Sequence, residues 1–310
     1  MKLLILTPQL PYPPHQGTSL RNFNIIQGLS AAHQITLLSL REEQTEPDAD
    51  SLGPLSELCD IVLTVPVPVP RSMSKRFFQL LTTRDPDLSH RLRSGWFDIT
   101  LRRLLSEETF DVVQIEGIEL AWTIASIRTV NRAQNIVFDA HNAEAQLQNR
   151  AYLADVRHLK RWPAAIYSRI QSYRLKSYES WACKSCNGVV AVSRQDKEIL
   201  MAQVDGNLPQ ITVIPNSIDV QHFEALASAP DNHQIRSALQ NDIVFTGKMD
   251  YRPNVDAVLW FADEVWPEIK ALRPESTWAI VGQKPHPRLT DLEKQPGVTI
   301  TGRVEDVAPY

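Results

Sequence analysis

The chain is poor in cysteine, with three in 310 residues, and it has no long apolar run. An odd, small number of cysteines argues against a disulfide framework and for a reducing compartment. Cys183 and Cys186 form one C-x-x-C pair, and because a zinc ribbon needs a second pair, we interpret them as structural residues. The apolar run before Pro8 is too short for a signal peptide, and no segment reaches the length of a membrane span. We therefore expect a cytoplasmic protein.

A strong charge of one sign is also missing, since the formal net charge is -4 at pH 7. This balance gives no indication of a nucleic-acid partner, which would favour a basic chain. Apolar residues make up 43% and charged residues 22%, which is typical of soluble globular proteins. The length of 310 residues indicates two domains of ordinary size.

Short apolar segments alternate with helical patterns along the chain. Many are continuous apolar runs, which is typical of strands buried on both faces of a parallel sheet. Alternating strands and helices predict sheets of the doubly wound kind. The predicted strands are Leu3–Leu6, Ile35–Leu40, Ile61–Val65, Val112–Ile115, Ile136–Ala140, Val189–Val192, Ile211–Ile214, Ile243–Thr246, Trp278–Val281 and Val298–Thr301.

The pattern restarts at Asp242, where "IVFTG" opens onto a loop and a helix much as "LLILTPQL" does near the start. We therefore predict an α/β protein with two Rossmann-like domains, residues 1–204 and 205–310, the second with a sheet of about four strands. The segment "LASAPDNHQ" is expected to be a surface loop of the second domain. Ligands of such sheets bind beyond the carboxyl ends of the strands, and two such edges can face each other across a cleft.

The loop after the first predicted strand reads "PQLPYPPHQG". Its prolines would stiffen it, Gly17 could let a ligand approach closely, and Thr18 or Ser19 could cap a helix whose N-terminus favours a phosphate. A plain proline-stiffened turn explains the same residues equally well. The loop lacks the G-x-G-x-x-G fingerprint and no acidic residue follows the second strand, which argues against a dinucleotide oxidoreductase.

Polar residues follow two later strands of the first domain. His141 in "VFDAHNAE" comes just after Asp139, where it could bond a sugar hydroxyl or a developing charge. The alternative is a hydrogen-bonded residue at a strand end. Glu116 in "QIEG" could take part in the same chemistry or simply cap the next helix. His15 could also face the cleft.

In the second domain, a glycine and a cation follow three successive strands, in "TGK", "VGQK" and "TGRV". A lysine beyond a strand end is a suitable counter-charge for a diphosphate. A solvated lysine is the alternative at any one of them, but three such patterns in succession favour a binding edge. The residues concerned are Gly247, Lys248, Gly282, Lys284 and Arg303.

The motifs "PYPPHQGTSLRN", "VFDAHNAE", "VIPNSID", "FTGK" and "TGRV", in this order and over essentially the whole chain, resemble a GT-B glycosyltransferase of the family 4, or group 1, type. "VIPNSID", close to the family's "viPNGvD", is the most specific of them. The resemblance implies two Rossmann domains facing a cleft and retaining transfer of a sugar from a nucleotide-sugar donor. The acceptor would be a glycan or a lipid-linked molecule in polysaccharide or glycolipid synthesis. It also implies no metal and no cofactor besides the nucleotide-diphosphate-sugar co-substrate.

Carried over by position, the resemblance places His141 near the transferred sugar, and we predict that Glu116 is a catalytic residue as well. Lys248 would neutralise the leaving diphosphate, and Arg303 with Val304 would lie beside the nucleotide base. Asn216 would shape its own turn near the donor. The expected donor-binding residues are Gly17, Asn216, Gly247, Lys248, Gly282, Lys284, Arg303 and Val304.

The sequence also departs from the family pattern. Ser217 stands where the family usually has glycine, "YRPNVDA" replaces a Lys-Gly pair, and the chain stops at Tyr310 before the family's E-x7-E glutamate pair. We therefore expect an incomplete second domain and weak or absent activity of this chain. Two alternatives stay open, a non-catalytic donor-binding remnant and a sugar-nucleotide epimerase of the same fold.

Residues 150–184 combine eight Lys/Arg and two Asp/Glu with interleaved aromatic residues. Basic, aromatic helical segments can lie on anionic membrane surfaces, so peripheral contact with the inner membrane is one interpretation. We favour the other interpretation, in which the aromatic residues pack inward and the basic residues form a solvated face. The aromatic residues are Trp162, Tyr167, Tyr173, Tyr178 and Trp181.

Overall fold

The structure is a computed structural model in which the chain forms two compact units, Met1–Ile218 and Asp219–Tyr310. Each unit contains its own parallel sheet. His15 and the predicted surface loop "LASAPDNHQ" lie outside the described residues. The described residues are 1–14, 16–42, 49–204, 206, 209–218, 220, 224, 241–304, 307 and 310.

The first unit contains a seven-stranded sheet in which all neighbouring strands are parallel. Its strands are β1 (Lys2–Thr7), β2 (Gln34–Arg41), β3 (Ile61–Pro66), β4 (Val112–Glu116), β5 (Ile136–Ala140), β6 (Gly188–Ala191) and β7 (Gln210–Val213). The strand order is β3-β2-β1-β4-β5-β6-β7, with the order reversing at β1 as in a doubly wound fold. The predicted fold class is therefore confirmed for this unit.

Helices connect these strands. They are α1 (Gly17–Ser30), α2 (Ala49–Leu52), α3 (Leu55–Leu58), α4 (Met73–Thr82), α5 (Asp87–Arg91), α6 (Gly95–Glu107), α7 (Thr123–Val130), α8 (Glu144–Asp155), α9 (Trp162–Ser185) and α10 (Arg194–Gln203). Short 3-10 helices cover Ile118–Leu120 and Leu159–Arg161. Within the described parts of the chain, none of the helices combines the length and the apolar character that crossing a membrane would require.

The first sheet is buried on both faces, which explains its continuous apolar strands. Leu4 and Leu6 of β1 belong to a core that also holds Phe97 of α6, whereas Ile5 lies in a second core with Ile26 of α1. Successive side chains of a strand point to opposite faces, so one apolar run serves both layers. Burying a leucine or isoleucine fully stabilises the fold by about 1.5–3 kcal/mol.

The helix α1 starts differently from its prediction. Its N-cap residue is Gln16, whose backbone N–H donates to Ser19 Oγ at 3.0 Å. The prediction that Thr18 or Ser19 is the cap is therefore wrong, because Gly17 is already the first helical residue. Ser19 still satisfies a backbone donor at the start of the helix, but it does so from inside the first turn.

The two units divide later than the boundary predicted between residues 204 and 205. β7 pairs with β6 in the first sheet, with Val213 beside Ala191. The chain continues this pairing for one more residue, since Ile214 N–H donates to Ala191 O at 2.9 Å. The described residues of the second unit consequently contain one strand fewer than predicted.

The second unit has a three-stranded parallel sheet in the order β10-β9-β8. Trp278 is fully buried at its centre, with ring centroids 4.7 Å from Phe261 and 5.7 Å from Trp266. Among the described residues of this unit, a π-helical turn at Phe261–Val265 separates one helix from the next. The elements are β8 (Ile243–Thr246), α11 (Arg252–Trp260), α12 (Trp266–Leu272), β9 (Trp278–Val281), a 3-10 helix (Pro287–Lys294) and β10 (Val298–Gly302).

The C-x-x-C pair lies where α9 ends and β6 follows. Cys183 and Cys186 are both buried and unoxidised. Burial raises the pKa of each thiol to about 12, so neither is a reactive thiolate near neutral pH. Their position in the core between α9 and the sheet agrees with the structural interpretation.

Candidate functional site

Glu116 and His141 meet at the carboxyl ends of two neighbouring strands. Glu116 ends β4 and His141 follows β5, and the register places Glu116 directly beside Asp139. His141 Nε2 lies 2.8 Å from Glu116 Oε2. The Glu116 side chain is fully buried, whereas His141 keeps 14% of its side-chain surface exposed. Of the two, only His141 can therefore meet a ligand directly.

Gly117 makes room for this pair. Its φ of 83° is in the region that favours glycine. A Cβ atom on Gly117 would stand 3.2 Å from Glu119 Oε2 and 3.6 Å from His141 Nδ1. The glycine thus allows the chain to turn at the end of β4 without crowding the imidazole.

Arg21 and Asp139 form a buried ion pair beside Glu116 and His141. Asp139 is the penultimate residue of β5, and Arg21 contacts it from α1. Arg21 Nη2 donates to Asp139 Oδ1 at 3.0 Å and to Oδ2 at 2.8 Å, and Arg21 Nε donates to Oδ2 at 3.1 Å. Such bidentate geometry fixes both side chains.

The same guanidinium holds the segment that follows β7. Arg21 Nη1 donates to Ile214 O at 3.0 Å and to Asn216 Oδ1 at 3.1 Å. One turn further along α1, Asn24 Nδ2 donates to Ser217 O at 3.0 Å. Two side chains of α1 therefore anchor the "PNS" part of "VIPNSID". Asn216 accepts a hydrogen bond from within the protein, and its predicted place near the donor stays a prediction.

Burial and neighbouring charges shift the pKa values of this cluster. Burial lowers the pKa of His141, but the hydrogen bond and charge of Glu116 and the charge of Asp139 outweigh it, so the pKa is raised above its usual value. Burial, then the charge of Glu116, raises the pKa of Asp139, although Arg21 and His141 act in the opposite direction. The imidazole is thus held in a site that favours its protonated form.

Glu116, Asp139 and His141 also qualify by type as metal ligands. One ligand atom from each lies within 4.8 Å of the others, the one such group among the described residues. However, both Asp139 oxygens already accept from Arg21, and His141 Nε2 is bonded to Glu116. A guanidinium therefore already supplies the positive charge that an ion would bring. The expected absence of a metal stays a prediction.

Gly17 lies at the exposed first position of α1, four residues before Arg21. A Cβ atom there would meet nothing within 4 Å in the protein, so packing does not require glycine at this position. The backbone N–H groups of a first helical turn lack partners within the helix and favour an anion. The role of Gly17 at a diphosphate stays a prediction.

In the second unit, the three glycine-containing turns lie side by side at the carboxyl ends of the strands. They come at the ends of β8, β9 and β10, which are parallel neighbours. Backbone hydrogen bonds join the turns, since Gly247 N–H donates to Val281 O at 3.0 Å and Gly282 N–H donates to Gly302 O at 3.1 Å. The structure therefore brings together the three patterns that the sequence singled out.

Close approaches limit which residues can stand at two of these glycines. A Cβ atom on Gly282 would lie 1.7 Å from the backbone oxygen of Gly247, which no side chain can tolerate. A Cβ atom on Gly247 would lie 2.7 Å from Asn254 Nδ2. Lys284 has a φ of 54°, which is uncommon for a residue other than glycine and occurs often at functional turns.

The cations at this edge differ in their partners. Lys248 Nζ lies 3.7 Å from Asp250 Oδ1, and both side chains are partly exposed. Asn254 Nδ2 donates to the backbone oxygen of Lys248 at 3.0 Å and so holds the turn. Arg303 is exposed and Val304 is half-buried just after β10. Their predicted contacts with a nucleotide base stay predictions.

The sequence reasoning missed Arg21 as part of the first-unit cluster. A signal was available, because Asp139 is a charged residue within the otherwise apolar strand β5. A buried charge of either sign needs a partner of the other. The pairing itself spans 118 positions, so the sequence alone did not show which acid Arg21 would meet.

Comparison with protein families gives two matches that together cover most of the chain. A model of Glycosyltransferase Family 4 matches residues 16–222. A model of Glycosyl transferases group 1 matches residues 240–310. No curated protein sequence matches the chain.

Several solved structures share the fold. OtsA in its apo form is 12% identical with a TM-score of 0.56, over 100% of this chain and 75% of that one. The alpha,alpha-trehalose 6-phosphate synthase of Burkholderia multivorans is 10% identical with a TM-score of 0.56, over 99% and 74%. UGT2 of Phytolacca americana, complexed with UDP-2fluoro-glucose and pterostilbene, is 11% identical with a TM-score of 0.51, over 98% and 72%. At these identities the likeness shows the fold alone, and it confirms the predicted GT-B class.

Proposed function

The chain belongs to Glycosyltransferase Family 4, as its motifs predicted, and from this we propose that it moves a sugar from a nucleotide-sugar donor to a glycan or lipid-linked acceptor. We propose that the transfer retains the anomeric configuration and serves polysaccharide or glycolipid synthesis. The nucleotide sugar is the co-substrate, and no metal or further cofactor takes part.

The proposal rests on the turns at the carboxyl ends of the strands in the second sheet. Three neighbouring strands end there in glycine-containing turns, and a lysine or arginine follows each glycine within two residues. The backbone at Gly282 leaves no space for a side chain, a Cβ atom on Gly247 would displace the Asn254 side chain, and Lys248 and Lys284 add positive charge. This combination suits a diphosphate, which needs both close backbone approach and counter-charge. UDP-2fluoro-glucose in the UGT2 structure supports a nucleotide sugar as the ligand class.

In the first unit, His141 is the residue proposed to contact the transferred sugar. Its Nε2 is bonded to Glu116, so Nδ1 remains for a ligand. Because Glu116 and Asp139 raise its pKa, His141 can donate from Nδ1 to a sugar hydroxyl. Glu116 is fully buried and acts through His141. We therefore assign Glu116 as a positioning residue rather than one that touches the sugar.

The proposed reaction is a displacement on one face of the sugar. The bond between the anomeric carbon and the diphosphate oxygen breaks, and a bond from that carbon to the acceptor oxygen forms on the same side. The acceptor proton passes to the departing phosphate oxygen, so no side chain has to serve as base. Lys248 would stabilise the charge that develops on the diphosphate, after exchanging its partly exposed contact with Asp250.

Nucleotide binding tests this proposal. UDP and GDP are titrated separately into the purified chain while its thermal stability is followed. We expect one nucleotide to stabilise the fold saturably, by about 2.7 kcal/mol at a hundredfold excess over its Kd. The stabilisation should be lost in Lys248→Ala.

Lys294→Ala is the matched control, because Lys294 is also an exposed lysine of the second unit paired with an aspartate, Asp291, but it lies in the 3-10 helix away from the turns. Stabilisation that persists in Lys248→Ala, or that is absent with both nucleotides, contradicts the proposal. Conversion of the donor to an epimeric nucleotide sugar, without transfer, would instead identify an epimerase.

A further inference from the structure

The helix α4 exposes its apolar side to solvent. None of its residues is buried, and Met73, Phe77, Phe78 and Leu81 are each between 63% and 76% exposed. At 100° per residue these four side chains fall on one face of the helix. An exposed apolar patch of this kind on a soluble surface marks a site of interaction.

The polar side of α4 is the side attached to the protein. Arg76 Nη2 donates to Asp87 Oδ2 at 3.0 Å and to the Tyr167 hydroxyl at 3.1 Å. Arg174 of α9 donates to the backbone oxygen of Leu80 at 2.7 Å. This is the reverse of an ordinary surface helix, which turns its apolar side inward. The contacts hold α4 beside α9 with its aromatic residues outward.

α9 adds a second exposed stripe. Trp162, Ile166 and Tyr173 are at least half exposed and share one side of the helix, together with the exposed Lys176. The expectation that the aromatic residues of this region pack inward holds only for some of them. Tyr178 is half-buried and stacks on Trp181 with ring centroids 5.3 Å apart, and the Tyr167 hydroxyl contacts Arg76.

The charge around these two helices is strongly one-sided. Residues 66–84 and 150–184 hold twelve of the 32 Lys/Arg of the chain and two of its 36 Asp/Glu. Both acids, Asp155 and Glu179, are buried, whereas Lys75 and Arg84 beside the α4 face are exposed. Asp85 and Asp87, just beyond α4, offset part of this charge, Asp87 through its ion pairs with Arg71 and Arg76. A chain with net charge -4 thus concentrates positive charge where it exposes aromatic residues.

We propose that α4 and the adjoining stripe of α9 form a docking surface for an anionic lipid bilayer. The face of α4 inserts its aromatic and aliphatic side chains at the level of the headgroups, and the surrounding lysines and arginines bind the lipid phosphates. The lysines and arginines around the exposed apolar face favour an anionic lipid surface over a protein partner, because the centres of protein interfaces are usually depleted of charged residues. The proposal goes beyond the transfer reaction and does not depend on it.

Vesicle flotation tests the proposal with the whole chain. Vesicles of phosphatidylcholine alone and of phosphatidylcholine mixed with phosphatidylglycerol are compared. We expect binding to the anionic vesicles that falls about tenfold or more in Phe77→Ser/Phe78→Ser, because two inserted rings are lost. Lys75→Gln should weaken it about fivefold, as expected for one basic residue near an anionic surface.

The matched control is Trp260→Ser/Leu272→Ser, which removes two exposed apolar side chains from the second unit and should bind as the unmodified chain does. Because α4 contains no buried residue, thermal unfolding should be unchanged in the Phe77/Phe78 variant. Absence of binding to anionic vesicles, or equal binding by that variant, overturns the proposal. A dimer that the same variant converts to monomer, without vesicle binding, would show that a second copy covers α4 and would also overturn it.

Discussion

Arg21 illustrates how much one side chain can organise. It joins α1 to the end of β5 through Asp139 and to the segment after β7 through Ile214 and Asn216. Both members of the ion pair are almost fully buried. A buried pair of this kind gives structural definition, and losing one partner leaves an uncompensated charge in the interior.

We therefore expect Arg21→Met to lower the free energy of unfolding by about 3–5 kcal/mol, measured by urea denaturation. The double variant Arg21→Met/Asp139→Leu should lose clearly less than the sum of the two single variants, because it buries no lone charge. Additive losses would mean that the two side chains do not act as a pair. Arg194→Met, at an exposed arginine of α10, serves as the control and should change stability by less than about 0.5 kcal/mol.

At the scale of elements, α8 depends on a side chain from another helix. Its N-cap residue is Ala143, which has no capping group. Glu179 of α9 fills this role, because its carboxylate accepts from Glu144 N–H at 2.6 Å and from Ala145 N–H at 3.2 Å. A cap supplied from α9 ties the start of α8 to its neighbour.

Removing this cap should destabilise the first unit. Glu179→Ala removes the partner of one buried and one part-buried backbone donor, so we expect the free energy of unfolding to fall by about 2–4 kcal/mol. Urea denaturation followed by circular dichroism measures the change. Lys176→Ala, at an exposed position of the same helix, should stay within about 0.5 kcal/mol of the unmodified chain. Equal effects of the two substitutions would contradict the capping role.

The same element shows which features the sequence could predict. The ten strands were predictable to within two residues, because each is a short apolar run bounded by polar or turn residues. The start of α8 was not, since its cap comes from a residue 35 positions away. The true N-cap of α1 was missed for a related reason, because Gln16 is a weak cap by type and serves through Ser19.

For the whole molecule, the sequence placed the candidate residues at strand ends but could not order the strands. Glu116 and His141 meet because β4 and β5 are neighbours in the sheet. The turns of the second unit meet for the same reason. The apolar side of α4 carries an ordinary amphipathic pattern, and only the fold reveals that its polar side is the attached one. Tertiary placement, rather than local pattern, decided these features.

Several buried acids and the site histidine give the first unit an unusual dependence on pH. Burial, then the charge of Glu116, raises the pKa of Asp139 from 3.8 to about 7 although Arg21 opposes it, and burial raises that of Glu179 from 4.5 to about 8. The pKa of His141 is also raised above 6.5, because its acidic neighbours outweigh its burial. Each group therefore keeps its proton in the folded state at pH values where the unfolded chain has lost it.

Stability should consequently fall as the pH rises from about 5 to about 8, because over this range the folded state binds more protons than the unfolded state. Urea denaturation at a series of pH values measures the free energy of unfolding. In Glu179→Gln the free energy of unfolding should fall less steeply with pH, since glutamine has no proton to release. This is expected even though the amide has a single oxygen and so loses one of the two backbone hydrogen bonds. A free energy of unfolding that instead rises from about pH 6 to about pH 8 would show that these carboxyl groups are already ionised and stabilised in the folded state, with Arg21 outweighing burial at Asp139.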